Sequence, residues 1–225
     1  MIINKINFPI YGTILLLSVL IGILYIYINI RDDIKKNNQI RLYFILYFMF
    51  AFILGKYYTM VADWNFDIMK VGFSSYGGLI GVVVSALIFE KIIDMKGKLI
   101  KHAIISLPLV YGLTKIACFL VGCCYGIPFN SWFSVTYPEG LNIKLFPIQI
   151  VETIMFLILF VIVNKNKKNN NISYYTLIVV AILKFLLDFL RYDHLKVLLT
   201  FNQYFSIVLL VITLGIFIYK KIKKD

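Results

Sequence analysis

Charge is scarce in this 225-residue chain, at 15% of residues, and proline, cysteine and histidine are scarcer still, with five, three and two copies. Each scarcity excludes something. So few charges against 61% hydrophobic residues rule out a soluble globular domain, whose interior has no use for that much apolar surface. Three cysteines, an odd number with two of them adjacent, make no disulfide framework, because vicinal bridges are strained. No histidine stands at a spacing that would complete a zinc site with them, so no metal is expected. No internal repeat or long linker interrupts the chain, and the Asn/Lys tract at 164–171 is a short low-complexity loop.

What the sequence has in quantity is apolar runs of spanning length. They fall at 9–30, 42–63, 76–93, 103–124, 147–164, 173–191 and 203–220, and predict a single domain over 1–225, an all-α integral membrane protein of seven transmembrane helices. The first run is too long for a signal-peptide core and lacks a small-residue cleavage site after it, so it reads as a retained helix. The net charge of +12 is distributed as topology rather than as a nucleic-acid footprint. Fifteen of the 23 basic residues lie in 31–41, 90–102, 164–173 and the tail KKIKKD, whereas the N-terminus and alternate loops hold Lys5, Lys70, Lys144, Arg191 and Lys196. Positive charge gathers on the cytoplasmic side, which puts the N-terminus outside and the C-terminus inside. Trp64 and Trp132 then fall in outer loops, as an interfacial aromatic belt requires, and YPEG (137–140) marks a turn in the longest of those loops, 125–146.

That topology gives each intramembrane polar residue a depth. Lys115 and then Cys118, Cys123 and Cys124 approach the outer surface along the fourth run. In the sixth, KFLLDFLRYD (184–193) sets Lys184, Asp188 and Arg191 at i, i+4 and i+7 on one helical face. Gln149 and Glu152 enter from outside on the fifth run, SYGGLIG (75–81) on the third, and Tyr11 and Lys56 sit at similar depth on the first and second. The inner half, by contrast, is nearly plain hydrocarbon. Ionisable residues within a span are costly unless paired or wet, so they mark function. Four cations (Lys56, Lys115, Lys184, Arg191) against two carboxylates (Glu152, Asp188) suit an anionic ligand such as a lipid phosphate.

Structural alternatives stand beside each piece. Lys184 and Asp188 also suit a plain intrahelical ion pair, and Lys56 and Arg191 suit snorkelling to the interface. Gly77, Gly78 and Gly81 contain a G-x-x-x-G spacing that fits close helix packing, while glycines at a helix start also free backbone N–H groups for an anion. The cysteines read as small packing residues, with a thiolate activated by Lys115 as the alternative. A solute transporter is disfavoured by the lack of an inverted repeat and of a polar trail to the inner side.

GCCYGIP (122–128), FPIQIVE (146–152), YGGLIG (76–81) and KFLLDFLRYD (184–193), spread in this order over seven predicted helices, resemble prolipoprotein diacylglyceryl transferase, and more closely its Cys-Cys variants from some Gram-positive bacteria. The resemblance runs from Tyr11 to about Gln203. It implies a multi-pass protein of the bacterial plasma membrane that moves the diacylglyceryl group of phosphatidylglycerol onto the lipobox cysteine of a prolipoprotein precursor peptide, releasing glycerol phosphate. Its expected partners are phosphatidylglycerol, the precursor peptide and membrane lipids, with no nucleic acid and no metal. The implied catalytic set is Tyr76, Lys115, Glu152, Lys184 and Asp188. The implied substrate-binding set is Tyr11, Gly77, Gly78, Cys118, Gly122, Tyr125, Gly126, Gln149 and Arg191. This chain departs from the family pattern at several of them. Tyr76 stands for a histidine, Lys115 and Lys184 for arginines, Cys118 for an asparagine, Cys123 for a glutamate, Asp188 for a glutamate and Phe146 for a histidine. The cationic positions keep their sign, although a lysine lacks arginine's bidentate phosphate contact. A relative that binds anionic lipid or a lipidated peptide without transfer is the alternative.

Overall fold

The computed structural model describes residues 8–33, 37–68, 70–93, 95–138 and 140–223. Lys5, Lys35, Lys36, Lys224 and the turn residue Glu139 lie outside the described residues. The described chain is all-helical: α1 (Phe8–Ile30), α2 (Asn37–Ala62), α3 (Ser75–Ile93), α4 (Lys98–Val121), α5 (Ile148–Lys165), α6 (Ile172–Asp188) and α7 (Phe201–Ile222), with short 3-10 turns at Arg31–Asp33 and Tyr192–Lys196. Six of the seven are long and apolar enough to cross a membrane, α6 being the exception. Its 17 residues rise about 26 Å at 1.5 Å each, slightly less than a hydrocarbon core of about 30 Å.

The sixth predicted span extends to 191, but the helix stops at Asp188. The reason lies in the backbone. Ile127 N–H donates to the Leu190 carbonyl at 3.0 Å and Tyr192 N–H to the Tyr125 carbonyl at 2.9 Å, so the outer loop takes up groups that a longer helix would have used internally. Arg191 is therefore not on the helical face of Lys184 and Asp188. It follows a turn, in extended conformation.

The chain forms two compact units, one of Val19–Leu107 and the other of the remainder, up to Ser18 and from Pro108 onward. In the first, α2 packs along α3 on a seam of small residues. A Cβ on Gly77 would stand 2.1 Å from the Leu54 carbonyl oxygen, and one on Gly81 2.4 Å from that of Phe50. The G-x-x-x-G spacing is thus used for backbone approach. Lys56 is engaged here too, its Nζ donating to the Val71 and Ile68 carbonyls at 2.7 and 3.0 Å, which ties α2 to the following loop. Glu90 caps the start of α4, accepting from Gly97 N–H (2.6 Å) and Ile100 N–H (3.1 Å), where a carboxylate also meets the positive end of the helix.

In the second unit, α6 packs on α7 and α5 on α6. α7 opens with a capping box: the Thr200 hydroxyl accepts from Gln203 N–H, and the Gln203 side chain accepts from Thr200 N–H. The loop before α5 folds on itself, Val135 and Leu145 exchanging two backbone hydrogen bonds of 3.0 and 2.8 Å. Phe119, Val135, Tyr137 and Leu145 form a small core beneath it. Burial pushes the Tyr137 phenol above its usual pKa, so it stays a neutral donor to the Phe119 carbonyl at 3.2 Å. Large apolar side chains such as Ile45, Ile53, Ile158 and Val211 point outward, as a lipid-facing surface requires.

The α2–α3 seam predicts that Gly77→Ala and Gly81→Ala each destabilise by about 1–3 kcal/mol through overpacking. Gly12→Ala, where nothing lies within 4 Å, should cost nothing. Thermal unfolding in detergent checks the contrast; equal behaviour of the three variants contradicts it.

Candidate active site

A polar cluster is buried where α4, α5 and the end of α6 meet. Lys115 and Tyr111 stand one turn apart on α4, and Glu152 projects from the first half of α5. The Glu152 carboxylate, 2% exposed, is the hub. Its Oε1 accepts from the Tyr111 hydroxyl at 2.6 Å and from Arg191 Nη2 at 2.6 Å. Its Oε2 faces Lys115 Nζ at 3.0 Å in an ion pair that lacks hydrogen-bond alignment. Arg191 Nε also lies 3.3 Å from Asp188 Oδ1. The other Asp188 oxygen accepts from the Thr200 hydroxyl, which links the cluster to the cap of α7. Lys184 Nζ sits 4.0 Å from the centroid of the Tyr111 ring, and Lys115 Nζ 5.0 Å, so both side chains lie against the same ring in a dry setting.

The structure thus brings together Lys115, Glu152, Lys184, Asp188 and Arg191, all named from sequence. Tyr11 is within electrostatic range of Lys115 and the three cysteines. Gln149 is 1% exposed; its Nε2 donates to the Cys123 carbonyl at 2.7 Å, and its Oε1 is buried without a hydrogen-bond partner. Tyr76, Gly77 and Gly78 belong to the other compact unit. There the Tyr76 ring stacks on Tyr58 at 6.0 Å, Gly77 lies in the α2–α3 seam and Gly78 has only the Phe73 ring at 3.8 Å from a notional Cβ.

GCCYG is a turn with two glycine requirements. Gly122 ends α4 at φ +69°, its N–H and that of Cys123 both donating to the Cys118 carbonyl at 3.1 Å. A Cβ there would also meet the Tyr137 ring at 2.7 Å. Gly126 pairs with Arg191 as an isolated bridge, and a Cβ on it would fall 2.2 Å from the Phe146 carbonyl oxygen. Tyr125 contributes its carbonyl to Tyr192 N–H. This turn therefore holds the backbone of Arg191 at the hub.

Two members escape the sequence reading. Tyr111 was legible as an intramembrane hydroxyl four residues before Lys115, a spacing that shares a helix face. Thr200 was legible as the start of T-x-x-Q before an apolar run. Neither carries charge, so neither stands out by its rarity within a span.

Glu152→Gln would leave buried Lys115 without its counter-charge and Arg191 with Asp188 alone, and should cost about 3–5 kcal/mol. Tyr111→Phe removes one hydrogen bond of a carboxylate that keeps its two cations, and should cost about 1–3 kcal/mol. Denaturant titration in detergent ranks the two; a Tyr111→Phe loss equal to that of Glu152→Gln contradicts the hub.

The sequence model of prolipoprotein diacylglyceryl transferase matches residues 1–219. A phosphatidylglycerol–prolipoprotein diacylglyceryl transferase of Clostridium tetani is 30% identical over 161 residues, 66% of this chain and 63% of that protein. The similarly named transferase 2 of Clostridium perfringens is 27% identical over 70% of this chain and 69% of its own length. That of Finegoldia magna is 23% identical over 96% and 91%. The aligned part of this chain thus spans somewhat less than two thirds of the first relative and nearly all of the third. With a match over nearly its whole length, the chain belongs to the prolipoprotein diacylglyceryl transferase family.

Proposed function

We propose that this chain transfers the diacylglyceryl group of phosphatidylglycerol to the lipobox cysteine of a prolipoprotein at the outer face of the bacterial plasma membrane. It does so as one seven-helix domain with its N-terminus outside and its C-terminus cytoplasmic. The loop charges support that orientation. α6 supplies the seventh span by letting its polar outer end reach the interface, a small mismatch for a bilayer to absorb.

The observation that carries the reading is the buried charge balance. Lys115, Lys184 and Arg191 outnumber Glu152 and Asp188, and all five side chains are nearly inaccessible. With Lys115, Lys184 and Arg191 all protonated the cluster has one positive charge in excess, which the single negative charge of a phosphodiester completes. In the reaction, the thiolate of the precursor peptide attacks the glyceryl carbon that bears the phosphate. A C–S bond forms, the C–O bond breaks, and its electron pair leaves with glycerol phosphate. That leaving group gains a negative charge and can take up the proton the thiol gives away. Cations already fixed by Glu152 stabilise this charge as it develops, without reorganising. Glu152 is engaged through both oxygens, which suits it to orientation rather than to proton transfer. Gln149 Oε1 is an acceptor for a headgroup hydroxyl. Lys56 and Glu90, the groups on which a transport reading would draw, bind the backbone of the loop after α2 and of the start of α4 instead.

Purified protein, phosphatidylglycerol and a synthetic lipobox peptide, followed by mass spectrometry of the peptide, test the proposal. Wild type should add one diacylglyceryl group. Lys115→Ala and Lys184→Ala should each slow transfer by about 10²-fold or more, the scale of losing one charge-stabilising donor. Lys115→Arg should retain it. Absence of the adduct with wild type, beside an active control enzyme, would refute transfer and leave a lipid-binding relative.

A further inference from the structure

The spacing of Cys118, Cys123 and Cys124 does not announce what the fold does with them. All three are free, and their sulfur atoms lie within 4.8 Å of one another. Gly122 at φ +69° stops the helix and turns the chain, and Cys124 takes φ +54°, a left-handed conformation that a non-glycine residue adopts at some cost. That turn is what carries Cys123 and Cys124 back over Cys118, on the last turn of α4. It is pinned from outside the turn as well, by the Gln149 amide on the Cys123 carbonyl.

Three sulfurs bound to one ion at about 2.3 Å stand about 3.8–4.0 Å apart. The observed grouping, all within 4.8 Å, needs to contract by at most about 1 Å to reach that geometry. Among the described residues no carboxylate or imidazole joins the group, so it offers a hard cation such as magnesium or calcium nothing, and a soft one three matched ligands. Its charge is also provided for. Three thiolates with a divalent or monovalent ion leave net negative charge, and Lys115 and Arg191 lie within electrostatic range of Cys124. Cys118 is 8% exposed whereas Cys123 and Cys124 are partly exposed residues.

We propose that Cys118, Cys123 and Cys124 form a three-thiolate site for a thiophilic d10 cation, zinc(II) or copper(I), which braces the 122–126 turn. On binding, each thiol gives its proton to solvent and its lone pair to the ion, with no change of oxidation state. The site goes beyond the transfer reaction and replaces the expectation of no metal drawn from histidine spacing. Its structural consequence is at the hub: the braced turn is the one whose Tyr125 and Gly126 backbone holds Tyr192 and Arg191.

The full-length protein, reduced with a phosphine and held in detergent, is titrated anaerobically with zinc(II) and, separately, with copper(I) against chelators of known affinity. Metal content is measured after gel filtration. One equivalent per chain of at least one ion is expected, with affinity falling at least tenfold in each of Cys118→Ser, Cys123→Ser and Cys124→Ser. Maleimide labelling of the wild-type thiols, read by intact mass, should slow at least tenfold when the ion is present, a measurement that does not depend on the variants folding. Binding of neither ion at unit stoichiometry, or binding without protection of the thiols, overturns the site.

Discussion

One carboxylate, Glu152, fixes the polar centre of this protein. A charge so deeply buried persists only if opposite charge and hydrogen bonds surround it. Here they come from two stretches of chain distant from Glu152 on α5: Lys115 and Tyr111 on α4, and Arg191 after α6. The desolvation that makes each ion expensive alone is what makes the set specific, because no member can move without stranding another. Asp188 extends the arrangement to the cap of α7 through Thr200.

The loop around this centre works by backbone rather than by charge. Gly122 and Gly126 stand where a Cβ would meet the Tyr137 ring or the Phe146 carbonyl. Their absence of side chains lets the 122–128 segment lie against 190–192 and 145–146. Short helix α6 and extended Arg191 are two aspects of this packing. Had the helix run three residues further, the Leu190 carbonyl and Tyr192 N–H would have lost their partners in the loop, and the guanidinium its approach to Glu152.

Much of this was legible in the sequence because hydrophobic length and charge are coarse, additive signals. The apolar runs placed the helices, and the rarity of intramembrane charge picked out Lys115, Glu152, Lys184, Asp188 and Arg191. Lys56 carries a charge as rare, and loop carbonyls, invisible to a pattern of side chains, satisfy it. The i, i+4, i+7 reading of Lys184, Asp188 and Arg191 failed because helix termination at Asp188 is set by tertiary backbone bonds. Tyr111 gives no topological signal because its hydroxyl is neutral, and the meeting of three thiols depends on two left-handed residues, Gly122 and Cys124, the second of which no spacing rule anticipates.

If the excess positive charge at Glu152 exists to receive a lipid phosphate, the phosphate must stabilise the fold when it binds. The direct measurement is thermal unfolding in detergent with phosphatidylglycerol compared with diacylglycerol of the same acyl chains, for wild type and Lys115→Met. Phosphatidylglycerol should raise the wild-type midpoint by several degrees over diacylglycerol, and the difference should disappear in Lys115→Met. Equal midpoints with the two lipids in wild type would contradict the account.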